Sequence, residues 1–242
     1  MVEVISVSRH SRAFAAKIKP GDFLLTINGN EINDVLDYRF YLAEKELRIE
    51  LLRASKRICV QISKEIYDDI GLSFATPLMD KKQSCRNKCI FCFIDQLPSG
   101  MRDTLYFKDD DSRLSFLHGN YVTLTNLTEQ DIDRIIGMRI SPINISIHTM
   151  NPELRVSMMK NKRAGEVLSY LDRIKEADLG MRGQIVLCRG VNDGEELMYS
   201  MRRLAEYYPS IDSVSIVPAG LTKYRDGLYP LTQYSRDRKS VV

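Results

Sequence analysis

Tyr121-Val122-Thr123-Leu124-Thr125-Asn126-Leu127-Thr128-Glu129-Gln130-Asp131-Ile132 sets an apolar run directly against a helix start. Tyr121 to Thr125 reads as a strand. Thr128 stands three residues before Asp131, the spacing at which the first residues of a helix cap one another, and Leu127 faces Ile132 at staple spacing. The same unit recurs downstream. Ile143 to Ile147, Gln184 to Leu187 and Ser213 to Val217 read as further strands, and a strand near Gly71 to Leu78 leads in. Between them Asn151-Pro152 places proline at a first helical position. Val167, Leu168, Leu171 and Ile174 repeat at helical spacing and stop before Gly180, where a C-terminal glycine belongs. Asp193 with Glu196 reads as the cap of a helix with Leu197, Met201, Leu204, Ala205 and Tyr208 on its apolar stripe. Strand and helix in alternation mean right-handed βαβ units around a parallel sheet or barrel. In such folds chemistry gathers at the C-terminal strand ends.

The first sixty-odd residues follow another rule. Val2 to Val7 and Phe23 to Ile27 read as strands, Pro20-Gly21-Asp22 as a turn and Asn28-Gly29 as a hairpin turn. Val35 to Leu42 reads as a helix capped by Asn33 or Asp34, and Leu47 to Arg53 with Arg57 to Ile62 as a hairpin around Ala54-Ser55-Lys56. Lys64 to Asp69 reads as a linker. The expected organisation is a small β-rich domain, residues 1–66, followed by an α/β domain, residues 67–242.

Lysine and arginine total 35 against 32 aspartates and glutamates, a net charge of +3. That balance does not support a nucleic-acid binder, which shows a strong basic excess. Tyr207, Tyr208, Tyr224 and Tyr229 are not interleaved with a basic stripe, so base stacking has no support either. Hydrophobic residues make up 44% of the chain, enough for packed cores. No apolar run approaches the ~18 residues of a membrane span. Met1 to Ser6 has no signal-peptide pattern, and the expected location is cytoplasmic.

Three of the five cysteines fall within eight residues, Cys85-Arg86-Asn87-Lys88-Cys89-Ile90-Phe91-Cys92. Thiolates this close converge on one metal centre. A zinc site takes four ligands, usually from two paired clusters, and no second pair follows. A 4Fe–4S cluster held by three cysteines leaves one iron open to a small molecule. The charged and polar Arg86, Asn87 and Lys88 argue against three buried packing cysteines. Cys59, in the first domain, and Cys188, at a strand end, read as structural.

The C-x3-C-x2-C spacing, with an aromatic before its last cysteine, resembles the radical S-adenosylmethionine (SAM) superfamily. The likeness continues through Phe91 to Pro98, Lys108 to Asp111, Arg113 to Phe116, Gly119 to Asn126, Ser146 to His148, Gln184 to Cys188, Asn192 to Gly194 and Val217 to Thr222. Together these are similar to a group of radical-SAM-like iron–sulfur oxidoreductases with an N-terminal PDZ-like domain. The resemblance implies a partial parallel (β/α) barrel preceded by a PDZ-like β-rich domain. It implies Cys85, Cys89 and Cys92 as ligands of a 4Fe–4S cluster, with SAM as second cofactor and an external electron donor. It names no substrate and no catalytic residue.

For SAM binding the candidates are Phe91, Thr125, Asn126 and His148. Thr125 and Asn126, at a strand end, offer oxygens to an ammonium; the alternative is that Asn126 merely starts the next helix. His148 ends its strand on the rim. Asp109-Asp110-Asp111 reads as a solvated turn or the negative start of a helix. Lys81, Lys82, Arg86 and Lys88 lie near the cysteines and favour an anionic partner.

Ser11 to Asp22, leading into Leu24 to Gly29, resembles PDZ domains of bacterial proteases, which bind peptides by strand addition. That implies a protein or peptide partner. Gly71-Leu72-Ser73-Phe74 is similar to the carboxylate loop of such domains, but lies after the domain as bounded above and is expected to lead into the first barrel strand. Two functions follow: an enzyme that cleaves SAM reductively to start radical chemistry on an unknown substrate, free or protein-bound, or a PDZ-type binding module with a structural or redox-sensing iron–sulfur or zinc site. Radical SAM cores resemble six-stranded partial barrels, so a sixth strand and its helix are expected beyond Leu231. The remaining stretch to Arg236–Val242 is too short for both, which predicts a truncated barrel with an exposed edge.

Overall fold

Val2 and Val4, and Leu47, Ile49 and Leu51, are buried in alternation with exposed or half-buried neighbours, the period of strands with one face on a core, while Leu24 and Ile27 are buried on either side of a register shift. The computed structural model describes residues 1–234, and the chain separates into two units, Met1–Lys82 and Gln83–Val242. The stretch Arg236–Val242 thus lies outside the described residues.

The first unit contains β1 (Val2–Val7), α1 (Arg12–Ala15), β2 (Phe23–Ile27), β3 (Asn30–Glu31), α2 (Val35–Leu42), β4 (Glu46–Arg53), β5 (Lys56–Ser63) and β6 (Leu72–Phe74). They form an antiparallel sheet in the order β5-β4-β2-β1-β6, with β3 on β2. Asn28 and Gly29 take positive φ, 51° and 83°, and close the β2–β3 hairpin. Asp34, not Asn33, caps α2 by accepting from Leu36 N and Asp37 N.

Gly71-Leu72-Ser73-Phe74 does not lead into a barrel. As β6 it pairs with β1, Val7 opposite Leu72 and Val4 opposite Phe74. The free edge of β1 offers backbone partners that no other segment supplies. Gly71 makes the approach, at φ +86°, so close to Ser11 that a Cβ would lie 2.4 Å from that residue's Cβ. Lys64 to Asp69 is therefore an internal connection of this unit, begun by Lys64 N on Lys45 O.

The second unit contains α3 (Ser112–His118), α4 (Glu129–Gly137), β7 (Ile143–Ser146), α5 (Pro152–Met159), α6 (Arg163–Glu166), α7 (Tyr170–Glu176), β8 (Met181–Leu187), α8 (Glu195–Ala205) and β9 (Ile211–Pro218). β7, β8 and β9 are parallel neighbours in sequence order. Tyr121 to Thr125 is not a full strand. Val122 alone bridges Ile145, through Val122 N on Asn144 O and Ser146 N on Val122 O, and Leu124 breaks the ladder at φ 65°. All four β7 residues are nevertheless buried, as expected of a strand covered on both faces.

α4 carries the capping box: Thr128 and Asp131 each accept from the other's backbone N–H. α8 departs from expectation. Gly194 stands at its N-cap with no side-chain cap. Asp193 instead accepts from Gly190 N and Tyr234 OH, and Glu196 from Thr149 Oγ1. Tyr208 lies beyond the helix end, 77% exposed, and leaves the apolar stripe. The core of this unit joins Val122, Ile132, Ile145, Leu171, Ile174, Ile185 and Leu204. The chain thus has an α/β fold with a parallel sheet and a separate β-rich N-terminal region. No helix among the described residues is long and apolar enough to cross a membrane.

Candidate metal centre

The cysteine loop is docked on the end of α5. Lys88 N donates to Met159 O and Ile90 N to Met158 O, so the loop satisfies carbonyls that the last helical turn leaves free. Upstream, Cys85 N donates to Lys108 O at 2.7 Å. Ile90 and Phe91 are buried in a small cluster with Met158 and Cys188. Their burial anchors the loop, while Cys85, Cys89 and Cys92 all remain half-buried.

Cys89 and Cys92 line a cavity of about 380 Å³ with Lys88, Lys108, Lys160 and Tyr229, a size within the usual ~300–1,000 Å³ of ligand pockets. Lys108 is ion-paired with Asp95. Burial works against the Lys108 charge, but Asp95, Cys92 and Cys85 together raise its pKa.

The Cys85 and Cys89 thiols are not activated nucleophiles, whose pKa values are lowered. Burial, then Cys85, Cys92 and Asp110, push the Cys89 thiol up to about 12. Burial also raises Cys85, with Asp110 and Cys92 adding to it and hydrogen bonds from Asn87 opposing it. Burial and neighbouring charge thus favour the protonated thiol at Cys85 and Cys89, and a bound cation is what would draw off those protons. That donor chemistry fits an iron–sulfur group. Among the described residues no group of three or more His, Cys, Asp or Glu is placed to hold a metal ion. A mononuclear site draws its thiolates to ~2.3 Å from one ion, whereas a cluster spreads its thiolates over separate irons.

Behind the loop lies a buried polar network. Asn87 Nδ2 is 3.4 Å from Cys85 Sγ, 3.0 Å from Thr123 Oγ1 and 2.9 Å from Thr125 Oγ1. Asp110 accepts from Thr123 N and Thr123 Oγ1, and Asp111 caps α3 and pairs with Arg113. Asp110 and Asp111 are 3% and 0% exposed. The carboxylate run is therefore a helix start in which Asp109 stays exposed while Asp110 and Asp111 are buried. Burial raises the Asp110 pKa against the hydrogen bonds of Thr123 and Thr125.

Arg155 is fully buried, and its guanidinium donates to four backbone carbonyls: Ile147, Ser146, Thr123 and Ala164. It ties Thr123 and the C-terminal end of β7 to α6. Burial lowers its pKa to about 10, opposed by the charges of Asp110 and Cys89.

The other candidates are distributed around this core. Phe91 meets His148 edge to face, ring centroids 4.6 Å apart. His148 is 4% exposed and takes φ 65°, a region histidine enters more readily than most residues. Its Nδ1 accepts from Val186 N and its carbonyl from Asn192 Nδ2. Burial, and then Arg155, lower the His148 pKa to about 3. Thr125 is engaged by Asn87, while Asn126 donates to Ser84 O and Asp110 O and keeps a buried Oδ1 with no partner among the described residues. Cys188 is 1% exposed in the Ile90 cluster, and Cys59 is exposed in the first unit. Gln184 stands mid-strand, its carbonyl accepting from Ile147 N and His148 N.

Several residues of the site carried no assigned role in the sequence. Gln96, fully buried, donates to Gly220 O and accepts from Thr222 N, clamping the segment after β9 onto the segment after the cysteines. Gln96, Thr222 and Asn192 fall inside the family-like stretches, which was their only signal. Arg155 had a clearer one: a cation one turn from Met158 and Met159 on a buried helix face.

A family model described as "Radical SAM-like domain" matches residues 64–214, more than half of the chain. Among solved structures, the crystal structure of Streptococcus suis SuiB bound to S-adenosylmethionine matches with a TM-score of 0.36 at 12% identity, covering 66% of this chain. The chain spans 44% of the length of that protein. No curated protein matches.

Proposed function

The chain belongs to the radical SAM-like domain family, and from that premise we propose that Cys85, Cys89 and Cys92 hold a 4Fe–4S cluster whose open iron binds SAM. The family makes the protein a radical-SAM-type enzyme; its reaction and substrate are not named by any residue. The observation that carries the reading is one loop with three half-buried thiols, two of them on a cavity of about 380 Å³. With both cofactors bound, one electron cleaves the carbon–sulfur bond of SAM and starts radical chemistry on a substrate.

The chain's own residues have separate tasks in this reading. Ile90 and Phe91 fix the loop by burial. Asn126 offers its unpartnered Oδ1 to the SAM ammonium, and Thr125 holds the Asn87 amide behind the loop. Phe91 and His148 form an apolar wall, and a neutral His148 adds no charge to it. Lys88 and Lys160, beside the paired Lys108 and Asp95, leave a net positive rim that suits an anionic ligand. The electron comes from an external donor, and the expected compartment is the cytoplasm. A partial barrel remains part of the same proposal.

Anaerobic reconstitution with iron and sulfide tests the cluster. Cys85→Ala, Cys89→Ala and Cys92→Ala each lose the brown chromophore, while Cys59→Ala keeps it. Wild-type iron content in all three single variants overturns the assignment.

A second reading is favoured by one feature of the N-terminal unit. A groove of about 440 Å³ runs between α2 and β6, lined by Val35, Tyr38, Leu42, Leu72 and Phe74, and the buried Tyr38 hydroxyl has no partner among the described residues. In this reading the PDZ-like unit captures a peptide as an added strand, and the metal site is structural or redox-sensing. Production of 5′-deoxyadenosine from SAM under dithionite separates the enzyme from the module.

A further inference from the structure

We infer that Asn87 is a positioning residue for the iron–sulfur group, its side-chain N–H held on Cys85 Sγ so as to raise the reduction potential. The inference rests on the reading of Cys85, Cys89 and Cys92 as ligands, and adds to it a residue between them that binds no iron.

Asn87 is 4% exposed, so its amide must find partners within the protein. Which end faces the sulfur follows from a neighbour. Asn161 Oδ1 is occupied by Arg163 N at 3.0 Å, so its Nδ2 is the end directed at Asn87, 2.7 Å away. A donor there requires an acceptor opposite, which makes that end of Asn87 Oδ1. The Asn87 Nδ2 is thereby turned to the cysteine side, 3.4 Å from Cys85 Sγ.

The same amide is gripped from behind. Thr123 gives its hydroxyl proton to Asp110 Oδ2, at 2.5 Å, and so accepts from Asn87 Nδ2. One N–H of Asn87 serves Thr123, and the second is shared by Thr125 Oγ1 at 2.9 Å and Cys85 Sγ at 3.4 Å. The backbone N–H of Asn87 adds a second donor, 3.5 Å from the same sulfur. Three segments distant in sequence therefore hold one amide in one orientation, and that orientation serves Cys85.

A hydrogen bond to a ligand sulfur stabilises the more negative, reduced state of a cluster more than the oxidised one. Its loss lowers the potential. Asn87→Leu keeps the approximate volume and removes the donor. Asn87→Asp keeps the acceptor for Asn161 and puts a carboxylate oxygen where the donor was.

The test uses the full chain reconstituted anaerobically, with reduction followed by electron paramagnetic resonance. Both variants become harder to reduce than the wild type at full iron content. Asn87→Asp shows the larger change, at least a tenfold fall in the one-electron equilibrium constant, or ~59 mV. Electron–nuclear double resonance on reduced wild-type protein, with asparagine labelled by 15N at the side-chain amide, needs no variant and shows a nitrogen coupling. Unchanged potentials in both variants, or no coupling in the wild type, overturn the inference and leave the cysteine assignment standing. A wild type that takes up no iron–sulfur group overturns both. If neither variant assembles a cluster, the wild-type coupling decides.

Discussion

Burial decides the charge of two residues that meet around the cysteine loop. Arg155 keeps its cation in the interior because four carbonyls surround it, and a buried charge without such partners costs several kcal/mol. His148 takes the other course and stays neutral, its pKa lowered to about 3 by burial and then by Arg155. Between about pH 6.5 and 3 the unfolded chain holds a proton on this residue that the folded chain does not. Stability from His148 is therefore complete above the unfolded pKa and falls as the pH drops through that window, by about 1.4 kcal/mol per unit. His148→Asn, which tolerates positive φ and offers an oxygen to Val186 N, removes that dependence. Urea midpoints of the metal-free proteins from pH 7 to 4 diverge accordingly, and parallel profiles exclude a neutral His148.

At the scale of elements, local chemistry explains most helix starts. α4 begins on Thr128 and Asp131, bonded to each other's backbone, and α5 on Asn151 followed by Pro152. Thr128→Ala lowers stability by about 1 kcal/mol, the usual value of an N-cap, while Thr128→Ser stays within a few tenths. Equal urea midpoints for Thr128→Ala and the wild type contradict the cap. These features were legible because their partners lie within three residues. The start of α8 was not. Asp193 and Glu196 have the spacing of a cap, but Gly190, Tyr234 and Thr149 compete for their carboxylates and win. The strand at Tyr121 to Thr125 failed for a related reason: Thr123 and Thr125 turn toward Asp110 and Asn87, and the ladder is reduced to Val122.

At the scale of the whole molecule, the N-terminal unit has its own sheet and its own buried residues. Ile18, Leu24, Ile27, Leu36, Ile49, Leu51, Ile62 and Ile70 are each under 9% exposed. Residues 1–82 expressed alone are expected to unfold in one cooperative urea transition, with a slope of about 1 kcal/mol per M for a unit this small. A fragment ending at residue 66 lacks β6 and leaves the edge of β1 unpaired, so its midpoint is lower. A non-cooperative 1–82 fragment, or equal midpoints for the two, refutes the role given to β6.

By itself the sequence determined what depends on near neighbours: three thiols on one loop, the hairpin turns at Asn28-Gly29 and Ala54-Ser55, the caps of α4 and α5, and the alternation that makes the second unit α/β. Only the tertiary structure decided which free edge received Leu72–Phe74, that Asp110 is buried rather than solvated, and that Gln96 holds Gly220 and Thr222 from 124 and 126 residues away. Caps and turns are set by bonds that close within a few residues, whatever the rest of the chain does. Unpaired strand edges and buried polar groups accept whichever distant segment packing brings to them, and no local spacing records that choice.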